Sequence, residues 1–178
     1  MAYEQTPQTT VVLAQAARSD APALARLAGI IWPEAFGEMI TRAQIDYMLE
    51  HLQSAEAMAQ QMDEGMNYWF IECDGERAGY AAIKHDENTR TSHLSKLYLL
   101  STARGGRVAG TALEQINTLS RNSGSNTLAL TVNKYNARAI RFYEKRGFKT
   151  TRDVVMDIGG GFVMDDYCME LDLNGAAR

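Results

Sequence analysis

A chain of 178 residues, 46% apolar and 22% charged, is long enough for one domain with a proper core and too short for two comfortable ones. Its net charge of −4 argues against a nucleic-acid surface, which would present a basic face, and is compatible with a cationic partner. No run approaches the ~18 apolar residues of a membrane span, and no charged-then-apolar leader opens the chain, so a soluble cytoplasmic protein with no membrane partner is expected. Cys73 and Cys168 lack metal-ligand spacing, so they read as reduced thiols and no metal site is expected.

In chain order, residues 1–9 are polar and expected to be loosely attached. Residues 10–16 read as a first strand. Asp20 and Pro22 open a helix carrying Leu24, Leu27, Ala28 and Ile31, which should end at Trp32-Pro33 because a residue before proline resists the α region. Thr41 caps a second helix and Ser54 a third, the latter ending near Gly65. A strand over 68–73, the turn Asp74-Gly75 and a return strand over 77–85 form a hairpin. Residues 92–100 make the next strand. The chain then switches to strand–loop–helix–strand–helix, and 149–156 and 162–173 alternate well enough to be closing strands around Gly159-Gly160-Gly161. No repeat or linker breaks the sequence, so 1–178 is read as a single domain. Its fold class is α/β (α+β), a mixed, mostly antiparallel sheet with helices on both faces.

The stretch from His93 to Phe148 organises the chain. The strand-like run Leu94–Leu100 meets the small-residue loop Ser101–Gly110. A helical stripe of Val108, Ala112, Leu113, Ile116 and Leu119 follows. A helix beginning near Gly106 or Arg107 leaves its first backbone N–H groups free, and its dipole favours an anion there. Gly105 and Gly106 permit close approach of a bulky diphosphate, and Arg104 and Arg107 add charge-assisted donors. An ordinary glycine-rich turn is the alternative. The loop lacks both the Lys-Ser/Thr of a Walker motif and the spaced glycines of a dinucleotide fingerprint.

A second motif follows, Asn136-x-x-Ala139-x-x-x-Tyr143-x-x-x-Gly147-Phe148. With the loop, it makes the chain resemble the GNAT superfamily, which moves acetyl from acetyl-coenzyme A to amines. The likeness covers about residues 68–172 well and the first 65 loosely. Arg104 fits the first position of that family's loop motif and Ala109 the last. Arg107 stands where a glycine is usual, flanked by Gly106 and Gly110.

The resemblance implies acetyl-coenzyme A as cosubstrate, cradled by Arg104, Gly105, Gly106, Arg107, Val108, Ala109 and Gly110. It implies that the backbone of Leu97, Tyr98 and Leu99 pairs with the pantetheine arm, with Asn136, Ala139 and Tyr143 beside it. Tyr143 is the candidate general acid: a phenol with a pKa of about 10 keeps its proton at neutral pH and can give it to a departing thiolate. The general base is open between His93, Glu72, Asp165 and Asp166, and positioning alone is a further option. The resemblance also puts the first two helices at the acceptor site, where Trp32 and Phe36 would form an apolar wall or else core packing. Asp165, next to Asp166, is the candidate contact for an acceptor ammonium. Strand neighbours face opposite ways, so at most one of the two points at the site. Arg138, Arg141 and Lys145 either reach a nucleotide phosphate or are solvated.

The function this implies is N-acetylation of a primary amine of a small molecule or polyamine by direct attack. Acetylation of a protein N-terminus and a coenzyme-binding module without turnover are the alternatives. Family members often dimerise, which makes a homodimer possible.

Overall fold

The computed structural model describes residues 9–175, so most of the 1–9 segment expected to be loose lies outside the described residues. Its strands are β1 (Val11–Gln15), β2 (Asn67–Cys73), β3 (Glu76–Asp86), β4 (Thr91–Leu99), β5 (Thr127–Asn133), β6 (Lys149–Gly159) and β7 (Phe162–Asp172). Helices α1 (Ala21–Phe36), α2 (Arg42–His51), α3 (Ala55–Asp63), α4 (Val108–Asn122) and α5 (Ala137–Glu144) complete it. The strands form one sheet in the order β1-β2-β3-β4-β5-β7-β6, antiparallel except for the parallel pair β4–β5.

Two cores sandwich this sheet. Leu113 and Ile116 of α4 pack on Ile71, Ala81, Leu128 and Met169. On the other face Leu24, Ile31 and Met58 of α1 and α3 cover Tyr68, Phe70 and Tyr80. The alternation within β2 explains both: Tyr68 and Phe70 point one way, Trp69 and Ile71 the other. Three caps fall where the residue types predict them, whereas Asp20 before α1 makes no cap bond to that helix and accepts the Ala17 amide at 2.8 Å instead. Thr41 Oγ1 accepts the Gln44 amide at 3.2 Å, Ser54 Oγ that of Ala57 at 3.2 Å, and Asn136 Oδ1 that of Ala139 at 3.1 Å.

One boundary differs from expectation. Helix α1 does not stop at Pro33 but runs on to Phe36. An internal proline costs a helix ~3 kcal/mol, and aromatic burial offsets it here. Trp32 is buried, its Nε1 donates to Tyr80 Oη at 3.2 Å, and its ring lies 4.6 Å from that of Phe36 one turn on. Both rings rest against Tyr98, at 5.4 and 5.8 Å. Ending the helix at Pro33 would break this cluster.

The same face holds a buried cation. Lys96 is 5% exposed and lies opposite the small Ala82, which leaves room for its stem. Its Nζ donates to Gln61 Oε1 at 2.9 Å and sits 5.4 Å from the centre of the Tyr68 ring. Among the described residues no carboxylate pairs with it, and burial pulls its pKa down to about 8. Between about 8 and its ordinary 10.5 the folded chain binds fewer protons than the unfolded one, so this lysine's penalty is fully present below pH 8 and fades as pH rises through that window. Lys96→Met is therefore expected to stabilise the protein at pH 7 by about 1–4 kcal/mol. Thermal melts should show the gain shrinking between pH 8 and 10.5. An equal melting temperature at pH 7 would contradict the assignment.

Candidate active site

The site begins as a defect in the sheet. Strands β4 and β5 pair only through Thr91–Thr127, Ser92–Leu128 and His93–Ala129, and then part. A bulge lies at the point of separation: Ala82 opposes Lys96 while Ile83 opposes Leu94, leaving Ser95 as the extra residue. A bulge bends its strand and increases its twist, which carries the end of β4 away from β5. The β5-facing edge of Leu94–Leu99 and the β4-facing edge of Leu130–Asn133 are thus left without a strand partner. Unpaired backbone groups at a cleft are ready to receive an extended ligand.

The parting opens a cleft of about 440 Å³. At one end lies the turn into α4. Gly105 has φ +83°, a conformation that favours glycine, and a Cβ on Gly106 would point into open space. Arg107 is the N-cap residue of α4, so the first amides of the helix face this end. Three guanidinium groups line the cleft with them, those of Arg104, Arg138 and Arg146. Arg104 is held by Nε donating to Leu99 O at 2.9 Å, while its buried Nη2 makes no hydrogen bond and lies 3.9 Å from Glu34 Oε2. Arg146 stacks 3.8 Å over Phe142, donates to Phe142 O at 3.0 Å, and lies where a Cβ on Gly110 would meet it at 2.7 Å. An orphaned donor, a helix N-terminus and a glycine cradle together suit a diphosphate.

At the middle stands Tyr143, buried against Phe142 and Phe148 at 5.1 and 5.2 Å. Burial pushes its phenol well above the usual tyrosine range, and nearby Arg146 only partly opposes this. The group keeps its proton throughout the physiological range. At the far end the wall is apolar: Ile31, Trp32, Phe36, Met48 and Tyr98, with Met164 and Asp166 of β7.

Of the residues singled out from sequence, Leu97, Tyr98, Leu99, Arg104, Gly105, Gly106, Ala109, Asn136, Ala139, Tyr143, Trp32 and Phe36 all line this cleft. Others fall outside it. Arg107 is exposed, Val108 is buried in the core under α4, and Gly110 serves Arg146 instead. His93 is exposed beside the last β4–β5 pair, at the closed end of the gap, and Glu72 sits on β2 opposite Val12 and Arg77. Asp165 turns away and binds Lys134 Nζ at 2.6 Å, beside a shallower recess that it shares with Glu38, Met39, Tyr135 and Val163. The strand period gives the cleft to Asp166 instead. Of the other basic candidates Arg138 reaches the cleft, and Arg141 and Lys145 do not line it. Arg146 escaped sequence reading. Its only signal was a glycine, Gly110, placed where a side chain would have blocked it.

A mixed sheet parted at its parallel pair, with an anion-binding helix start beside the gap, is the fold of the GCN5-related N-acetyltransferases. It superposes on the PaiA N-acetyltransferase of Thermoplasma acidophilum, solved in complex with coenzyme A, with a TM-score of 0.74 over 92% of this chain and 99% of that one at 20% identity. It also superposes on a ribosomal-protein-alanine N-acetyltransferase of Brucella melitensis, with a TM-score of 0.61 at 21% identity, covering 90% and 99% of the two chains. The sequence profile of the acetyltransferase (GNAT) domain matches residues 37–165, and the chain belongs to that family. An uncharacterized N-acetyltransferase of Mycobacterium bovis is 34% identical over 100 residues, 56% of this chain. That match spans 63% of the relative's length.

Proposed function

We propose that the protein transfers the acetyl group of acetyl-coenzyme A to a primary amine of a small molecule. The observation that carries this reading is the parted β4–β5 pair, whose free backbone edges open onto the glycine loop, three guanidiniums and Tyr143. When bound, acetyl-coenzyme A supplies an activated thioester. Leu97–Leu99 offer backbone groups to an extended arm as a neighbouring strand would. The α4 amides with Arg104, Arg138 and Arg146 hold the diphosphate end. Tyr143 holds a proton at the thiol end and gives it to the departing sulfur. Neither Cys73 nor Cys168 lines the cleft, which favours direct attack by the amine over a covalent acetyl-enzyme.

A second reading, acetylation of a protein N-terminus, has one observation in its favour. The cleft shares Ile40, Gln44 and Asn133 with the shallower recess, which gives an extended acceptor a way out.

The test joins calorimetry of coenzyme A binding to thiol release from acetyl-coenzyme A with amines and short peptides. Arg104→Ala is expected to weaken coenzyme A binding about tenfold, because a charge-assisted contact contributes roughly 1.5–3 kcal/mol and water replaces part of it. Binding without thiol release on any acceptor would favour a coenzyme-binding module. No binding at all would sink the family's activity for this chain.

A further inference from the structure

Among the described residues Asp166 is the one carboxylate that lines the cleft, and it is built in rather than solvated. It is 3% exposed, and its Oδ1 has no hydrogen-bond partner. A buried carboxylate oxygen without a donor is costly unless something brings one. The Thr131 side chain hydrogen-bonds to the carboxylate, but among the described residues Oδ1 has no donor of its own. Lys134, the nearest cation of the β5–α5 turn, is engaged by Asp165 at 2.6 Å and Asp153 at 3.0 Å. Tyr98 of β4 stands within its electrostatic reach. The guanidiniums of Arg104, Arg138 and Arg146 cluster around the loop that opens α4. The surroundings are mainly apolar and aromatic, with Trp32, Phe36, Tyr98, Met48 and Met164, beside the polar Gln44, Thr131 and Asn133, the last paired with Asp166 across β5 and β7.

Resting on the acetyltransferase reading above, we propose that Asp166 binds the ammonium of the acceptor and takes its proton. The acceptor is then a primary amine carrying a single positive charge on an apolar or aromatic body. An ammonium donates to the free Oδ1 while its substituent lies on the Trp32–Phe36–Tyr98 wall, where cation–π attraction adds to the fit. A polyamine would bring a second ammonium into an apolar wall that offers no second carboxylate.

Asp166 accepts one proton from R–NH₃⁺, leaving a neutral amine. The nitrogen forms a bond to the thioester carbonyl carbon, and the carbon–sulfur bond breaks. Tyr143 protonates the sulfur and recovers a proton from the nitrogen as the amide forms. Asp166 releases its proton to solvent. Burial raises the Asp166 pKa, with Asp165 adding to the rise and Thr131 and Lys134 opposing it, which brings the carboxylate closer to the range useful for a base. Tyr98 and Tyr143 are held protonated by burial, so neither titrates in that window.

The experiment measures kcat/KM for thiol release against pH, with 2-phenylethylamine, spermidine and a short peptide, in wild type and Asp166→Asn. Coenzyme A calorimetry is run on both. For wild type, 2-phenylethylamine is expected to exceed spermidine and the peptide at least tenfold. Asp166→Asn should lower kcat/KM about 10²-fold at pH 7 with coenzyme A affinity unchanged. The deficit should close as pH approaches the amine's own pKa of about 10, where solvent has already removed the proton. A preference for spermidine or the peptide would overturn the acceptor class. An Asn variant as active as wild type, or a deficit independent of pH, would overturn the role of Asp166 while leaving the acetyltransferase reading intact. Loss of coenzyme A binding by the wild type would remove both. If the variant does not fold, the wild-type panel and its pH profile still decide, since a rate that falls only at the pKa of the free amine excludes a bound base.

Discussion

Replacing Tyr143 by phenylalanine is expected to cut turnover about 10²-fold, the size typical of removing a positioned general acid, while leaving coenzyme A affinity within about twofold. The separation follows from how the residue is held. Its ring is packed by Phe142 and Phe148 and counts among the core residues under α4, and phenylalanine preserves that packing. Only the hydroxyl is lost. That hydroxyl is protonated because burial disfavours the phenolate, so in the wild type it is a ready donor at every pH from 6 to 9 and the rate loss should be uniform across that range. The uniform loss also distinguishes Tyr143 from Asp166, whose removal should cost most at low pH. Steady-state thiol release and calorimetry decide it. A variant with wild-type turnover would assign proton delivery to solvent.

The parts of the molecule that sequence reading reached are those set by local chemistry. Asp74-Gly75 forms its turn with both residues at positive φ, Thr41, Ser54 and Asn136 cap their helices, and the Asn136–Phe148 motif brings Ala139 and Tyr143 onto one cleft-facing side of α5. Several features depend on partners distant in sequence and were therefore hidden. Continuation of α1 past Pro33 rests on Tyr80 and Tyr98, which arrive from β3 and β4. The choice of Asp166 over Asp165 is a matter of strand register, and a shift of one residue inverts every face. His93 seemed well placed at the start of its strand, but that is the end where β4 and β5 stay joined. The gap itself depends on an unpaired Ser95 that only the β3–β4 alignment reveals.

Gly79 is where stability and site meet most closely, and Gly79→Ala is expected to destabilise the fold by about 3 kcal/mol or more, at the upper end of overpacking effects. It sits on β3 opposite Leu99. A Cβ there would overlap Tyr98 O and meet Leu99 Cα at 2.9 Å. Both are backbone atoms, so no rotamer change relieves the clash, and the strands must separate. The segment that would move is the free end of β4, whose Tyr98 and Leu99 border the cleft and whose Leu99 carbonyl holds Arg104 at 2.9 Å. Loss of stability and loss of coenzyme A affinity should therefore appear together in this variant, unlike in Tyr143→Phe, where rate alone falls. For a domain of this size the melting temperature should drop by about 6–12 °C. A variant melting within 2 °C of wild type would mean that β3 and β4 do not approach this closely. A lower melting temperature with unchanged coenzyme A affinity would mean that the end of β4 is not part of the coenzyme's binding edge.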